Sequence, residues 1–184
     1  MQVHINIDGG SRGNPGPGAS AYVIYDAQNN LLSQEGYFIP HCTNNQAEYT
    51  ALKLALLKAA ELGATELFIQ SDSLLLVKQY LGEYKIKNPD LAARMQVIRR
   101  LSAAFTVHIE HVLRQFNKAP DALANQAMDA KQSLGFNPLS YLPTDEEILA
   151  RPAPKLVNGV AVKPVVRKKQ PKANPNQPGL FGDF

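Results

Sequence analysis

Apolar and polar positions alternate from Gln2 to Asp8, with Val3, Ile5 and Ile7 on one side and His4, Asn6 and Asp8 on the other. That period of two predicts a half-buried strand carrying Asp8 on its polar side at the C-terminal end. Residues 19–26 and about 31–39 are again strand-like, and the polar DAQNN between them predicts a hairpin turn. The period then changes. Glu48, Ala51, Leu52 and Ala55 fall on one face of a helix, opened by a capping box of Thr43 with Gln46 and closed at Gly63. TELFIQSD predicts a fourth strand ending at Asp72, and helices follow at about 73–81 and 89–104, the second introduced by NPD. FTVHIEHVL predicts a fifth strand, RQFNKAP a loop, and PDALANQAMDAKQ a last helix with Pro120 in its first turn. After Gly135 the periodicity fades, apart from one capped turn expected from Thr144 in TDEEILA.

Between the first two strands the chain reads IDGGSRGNPGPG, from Ile7 to Gly18, and its five glycines and two prolines predict a loop that holds neither helix nor strand. No Gly-Lys-Ser/Thr closes it as in a P-loop, and no helix follows it as a dinucleotide fold requires. The carboxylate of Asp8 is therefore the group to follow. Three more acids stand in comparable places: Glu48 on the small apolar stripe of the first helix, Asp72 at the end of the fourth strand, and Asp121 at the start of the last helix. With strands one and four as parallel neighbours, Asp8 and Asp72 emerge side by side where open α/β sheets bind ligands. A glutamate on a buried stripe needs a partner, and four clustered carboxylates need a counter-charge. Oxygen donors without a Cys/His cluster favour Mg²⁺ or Mn²⁺ over zinc. Taken singly, each of the four also reads as a solvated surface acid.

Composition adds bounds. A chain of 184 residues suggests one domain with an appendage, and its 45% hydrophobic content suffices for an ordinary core. No apolar run approaches the length of a membrane span, and MQVHINID lacks the basic and apolar blocks of a secretory signal. The single cysteine, Cys42, suits packing in a reducing cytoplasm, the expected location. Charge is uneven: residues 1–150 carry twelve Lys and Arg against fifteen Asp and Glu, whereas residues 151–184 carry seven against one. The Pro-, Lys- and Asn-rich end therefore reads as a basic, disordered tail suited to a polyanionic partner or to solubility.

The motifs, taken in order, resemble those of type 1 ribonucleases H over about residues 2–134: DGGSRGNPGPG, TNNQAEYTAL, SDS and RQFNKAPDALANQA. The resemblance implies a ribonuclease H-like α/β fold, a five-stranded mixed sheet of order 3-2-1-4-5 flanked by helices, over a catalytic domain of residues 1–136. It implies a monomeric endonuclease that cuts the RNA strand of RNA–DNA hybrids with two Mg²⁺ or Mn²⁺ ions, leaving 5′-phosphate and 3′-hydroxyl ends. By position, Asp8 would bridge both ions, Asp121 would hold the one activating water, and Glu48 and Asp72 the one at the leaving oxygen. Such a pair clamps both oxygens of an in-line displacement. Gly9, Gly10, Asn14, Thr43, Asn44, Asn45, Gln46, Ser73 and Asn117 become the expected substrate contacts. The Asn and Gln amides suit 2′-hydroxyls, and Thr43 suits a DNA phosphate as well as capping.

Departures from the family pattern matter too. The Lys- and Trp-rich protrusion of well-known bacterial members is reduced here to GEYKIKNPD, with Lys85 and Lys87 and no tryptophan, which fits the archaeal-like subgroup. Where many members carry a histidine, this loop holds Arg114, which is favoured for the auxiliary role over His111 and which would stabilise charge rather than shuttle a proton. His4, His41 and His108 carry no catalytic signal. In the tail of residues 137–184, Gln177, Leu180 and Phe181 of QPGLF resemble the peptides that dock on a sliding clamp. A hybrid-binding module without catalysis and a DNA-directed nuclease or integrase are the competing readings. Retention of all four acids disfavours the first, and the Asn-rich motifs disfavour the second.

Overall fold

The computed structural model describes residues 1–135 and 142–152; the tail positions Gln177, Leu180 and Phe181 lie outside the described residues. In chain order the elements are β1 (Gln2–Ser11), β2 (Gly16–Asp26), β3 (Leu31–Cys42), α1 (Asn44–Glu61), β4 (Glu66–Ser71), α2 (Leu74–Tyr80), α3 (Pro89–Ser102), β5 (Thr106–His111), a 3₁₀ turn (Arg114–Phe116), α4 (Lys118–Ala130) and α5 (Asp145–Ala150). The sheet order is β3-β2-β1-β4-β5, with β1–β2–β3 antiparallel and β4 parallel to both β1 and β5. This is the expected architecture.

The two faces of the sheet are covered differently. Val3, Ile5 and Ile7 of β1, Leu67 and Ile69 of β4, and Tyr22 and Ile24 of β2 face the main core, which α1 completes with Leu52, Ala55 and Leu56. Complete burial of one such Leu or Ile side chain contributes about 1.5–3 kcal/mol. The intervening residues of β2, Ala19 and Ala21, face the other way and pack on Ala124, Ala127 and Met128 of α4. That second face is built from small residues, so α4 lies very close to the sheet. A Cβ at Gly36 of β3 would stand 2.9 Å from the Leu123 carbonyl oxygen.

Two observations differ from the sequence reading. The glycine-rich stretch is mostly strand: β1 runs on through Gly9 and Gly10 to Ser11, and β2 begins at Gly16, leaving only Arg12–Pro15 as the turn. The reason is tertiary. A Cβ at Gly9 would lie 2.4 Å from both the Ala47 carbonyl carbon and the Glu48 nitrogen, so glycine there lets the start of α1 press onto β1. Further on, the turn expected from Thr144 forms α5 with a capping box, and the segment is docked rather than free. Ile148 is buried, Lys53 of α1 pairs with Asp145, and Arg100 of α3 donates to the carbonyls of Leu149 and Arg151. Packed structure therefore continues past residue 136. Among the described residues no helix is long and apolar enough to cross a membrane.

Candidate active site

Three of the four acids converge where β1, β4 and α1 meet. One ligand oxygen from each of Asp8, Glu48 and Asp72 lies within 4.8 Å of the others. Asp8 projects from β1, Asp72 follows the last residue of β4, and Glu48 is carried inward by the second turn of α1. Asp8 and Glu48 are each only 8% exposed. The stripe of Glu48, Ala51, Leu52 and Ala55 is buried along its length, as its spacing predicts.

Electrostatics in the cluster are unfavourable to charge. Burial, then the neighbouring Asp72, pushes the Asp8 carboxyl up to about 7, although the Gly9 N–H donates to Asp8 Oδ1 at 2.8 Å. Burial and the charges of Asp8 and Asp72 raise Glu48 well above the usual carboxylate range. Glu48 Oε2 is buried without a hydrogen-bond partner. An orphaned oxygen among convergent carboxylates, with no Cys or His in the set, fits a hard divalent cation.

Asp121, in the first turn of α4, stands apart from that trio and is held by Arg114, whose Nη2 donates to Asp121 Oδ1 at 2.6 Å. Asp121 is still near enough for its charge to raise Asp8. Arg114 is 74% exposed, and the pairing with Asp121 raises its own pKa further. His111 remains in β5.

The expected substrate contacts divide. Asn44 Oδ1 accepts from the backbone N–H and the hydroxyl of Ser11, and Asn14 Oδ1 accepts from the Asn44 N–H at 3.0 Å, so this pair ties the β1–β2 turn to the start of α1. Asn45 is exposed beside them. A Cβ at Gly10 would meet nothing within 4 Å, which leaves that face of the strand open. Thr43 caps α1, accepting from the Gln46 N–H at 3.2 Å, and Ser73 caps α2. Gln46 closes the expected capping box with Thr43, and it and Asn117 also make bonds the sequence did not indicate. Gln46 accepts from the Thr43 N–H and donates to Asp90, so both ends of its amide are bonded within the protein. Asn117 is 1% exposed, and its side chain bonds to Ile7, Asn6 and Asp72. Asn6 was not foreseen as part of the site; alternation marked it as polar and nothing more.

Comparison with known proteins gives consistent matches. Residues 6–127 match the family described as Reverse transcriptase-like. The chain is 41% identical over 129 residues to ribonuclease HI of Halobacterium salinarum, covering 70% of this chain and 65% of that protein. It is 42% identical over 132 residues to a bifunctional protein of Mycobacterium tuberculosis, covering 71% of this chain and 36% of that one. The chain thus spans under two thirds of the length of these relatives. Among solved structures, RNase H1 from Halobacterium salinarum superposes with a TM-score of 0.69 at 40% identity, covering 71% of this chain and 99% of that one. LC11-RNase H1, solved in complex with an RNA/DNA hybrid, superposes with a TM-score of 0.67 at 35% identity, covering 70% and 98%.

Proposed function

The chain belongs to the ribonuclease HI family, and from that premise we propose that it is an endonuclease hydrolysing the RNA strand of RNA–DNA hybrids. The observation that carries the reading is the convergence of Asp8, Glu48 and Asp72, with one Glu48 oxygen buried and unbonded. Such a concentration of poorly solvated negative charge is costly until a cation neutralises it. Asp8, Glu48 and Asp72 would hold Mg²⁺, or Mn²⁺, and Asp121 with Asp8 would complete a second position. Bound there, divalent cations supply an activated water and charge stabilisation on the phosphate.

The chain's own residues do the rest. Arg114 stays protonated and brings a guanidinium beside Asp121, where it stabilises negative charge on the phosphate without moving a proton. Asn14, Asn44 and Asn45, with the open strand face at Gly10, offer neutral amides and backbone to the 2′-hydroxyls that separate RNA from DNA. Thr43 and Ser73 add hydroxyls at helix starts, where anions are favoured. Support for a hybrid substrate comes from the LC11 relative, whose structure contains one. The excess of Lys and Arg in residues 151–184 would add attraction for a polyanion, and Gln177, Leu180 and Phe181 would dock on a sliding clamp.

One assay tests the reading. Labelled RNA–DNA hybrid, duplex RNA and duplex DNA are incubated with the protein in Mg²⁺ or in chelator. Cleavage of the hybrid's RNA strand alone, only with Mg²⁺, is expected. Cleavage of duplex DNA, or binding of hybrid without cleavage, would transfer the protein to one of the competing readings.

A further inference from the structure

Asparagine is favoured at helix N-caps because its side-chain oxygen accepts from the first N–H groups of its own helix. Asn117 occupies the N-cap of α4 and makes no such bond. Its side chain points into the sheet instead. Nδ2 donates to the Ile7 carbonyl oxygen at 2.8 Å and lies 3.4 Å from Asp72 Oδ1, while Oδ1 accepts from Asn6 Nδ2 at 3.2 Å. Asn6 Nδ2 also lies 3.2 Å from Gln70 Oε1, and Gln70 Nε2 donates to Glu110 Oε1 at 2.9 Å. A line of side chains therefore crosses β5, β4 and β1 and ends on α4.

The ends of that line are informative. Ile7 immediately precedes Asp8, Asp72 is itself a member of the cluster, and Asp121 follows one helical turn after Asn117, its N–H 3.4 Å from the Asn117 carbonyl oxygen. Asn117 is 1% exposed and its bond to Ile7 is buried, while those to Asn6 and Asp72 are part-buried; at the buried end an abandoned partner is expensive. A residue serving only to start α4 would turn its side chain to the first N–H groups of α4. A residue contacting substrate would be exposed. Asn117 is neither.

We propose that Asn117, braced by Asn6, is a positioning residue that fixes the first turn of α4, and with it Asp121, relative to Asp8 and Asp72. This rests on the hydrolytic reading of the site. The test uses the full chain with Asn117→Ala, Asn6→Ala and the double substitution. Far-UV circular dichroism checks folding, calorimetry with Mg²⁺ alone measures metal affinity, and a labelled hybrid gives kcat and KM. Asn117→Ala should lower kcat and Mg²⁺ affinity by about 10–100-fold, the usual effect of removing a group that orients metal ligands, with KM unchanged. Asn6→Ala should act in the same direction but less, and the double variant should be no worse than Asn117→Ala because both belong to one strut.

A folded Asn117→Ala protein with wild-type kcat and Mg²⁺ affinity overturns the proposal. So does a raised KM at unchanged kcat, which would make Asn117 a substrate contact. If Asn117→Ala does not fold, Asn6→Ala decides by the same criteria. If the wild-type chain cuts no hybrid, the hydrolytic reading fails separately, and calorimetry still decides the strut: weakened Mg²⁺ binding supports it and unchanged binding overturns it.

Discussion

Replacing Asp8 with asparagine should make the metal-free protein more stable while abolishing its activity. Asp8→Asn preserves size and shape, and its Oδ1 can still accept the Gly9 N–H that donates to Asp8 at 2.8 Å. What disappears is a carboxyl that burial, then Asp72, raises from 3.8 to about 7. Below about pH 4 that group is protonated in both folded and unfolded chains. As pH rises from about 4 to 7, the folded protein keeps the proton and the unfolded chain releases it, so stability falls; above about 7 the full penalty is present. A difference of that size corresponds to about 4 kcal/mol. Removing the charge also relieves Glu48, whose carboxyl Asp8 helps to raise. In chelator at pH 8, urea unfolding should therefore favour Asp8→Asn by a few kcal/mol, roughly 10 °C in Tm for a domain of this size. The gain should shrink towards pH 5. Mg²⁺ should stabilise the wild type strongly at pH 8 and the variant much less, since a cation bound to the folded state alone adds stability by mass action. A variant no more stable than wild type at pH 8, or equally favoured at pH 5 and pH 8, would refute this account of the cluster.

The remaining predictions concern separate parts of the site. Arg114→Ala should lower kcat on the hybrid by at least about tenfold with little change in folding, as expected for loss of a charge stabilising the transition state, and His111→Ala should matter less; steady-state kinetics showing the reverse order would move the auxiliary role to His111. Gly9→Ala should destabilise the protein by about 1–3 kcal/mol in urea and weaken Mg²⁺ binding, because its Cβ would fall 2.4 Å from the backbone that carries Glu48; unchanged stability would show that α1 can withdraw freely. Ending the chain after Pro152, which spares the docked α5, should weaken hybrid binding and flatten its salt dependence by removing Lys and Arg that neutralise phosphates; an unaltered salt slope would leave the tail no part in binding. Gln177→Ala with Phe181→Ala should abolish calorimetric binding to the organism's sliding clamp while hybrid cleavage persists, and an intact tail that binds no clamp would remove that partner.

What could be read from the sequence was chemistry satisfied within one element or one strand pair. The alternation of Val3, Ile5 and Ile7 predicts β1 and its buried side because strand geometry alone sets it, and the Thr43–Gln46 box predicts the start of α1 because both bonds close within one turn. Asp8, Glu48 and Asp72 were legible for a related reason: each sits at a definite place on its element, so a parallel β1–β4 pair brings them together. Interactions between elements had no such signal. Gly9 and Gly10 read as loop because glycine is poor in strands, whereas what Gly9 marks is the approach of α1, a helix that begins thirty-five residues later. Gln46 reads as a capping partner and a substrate amide, and nothing local reveals that its nitrogen reaches Asp90, 44 residues on. Asn117 is the sharpest case. Its sequence places it in a loop, its motif suggested a substrate contact, and its bond to Asn6 spans 111 residues. No periodicity encodes such a pair. It becomes visible only as a missing capping bond, and that local deficit can be explained only once β1 lies alongside α4.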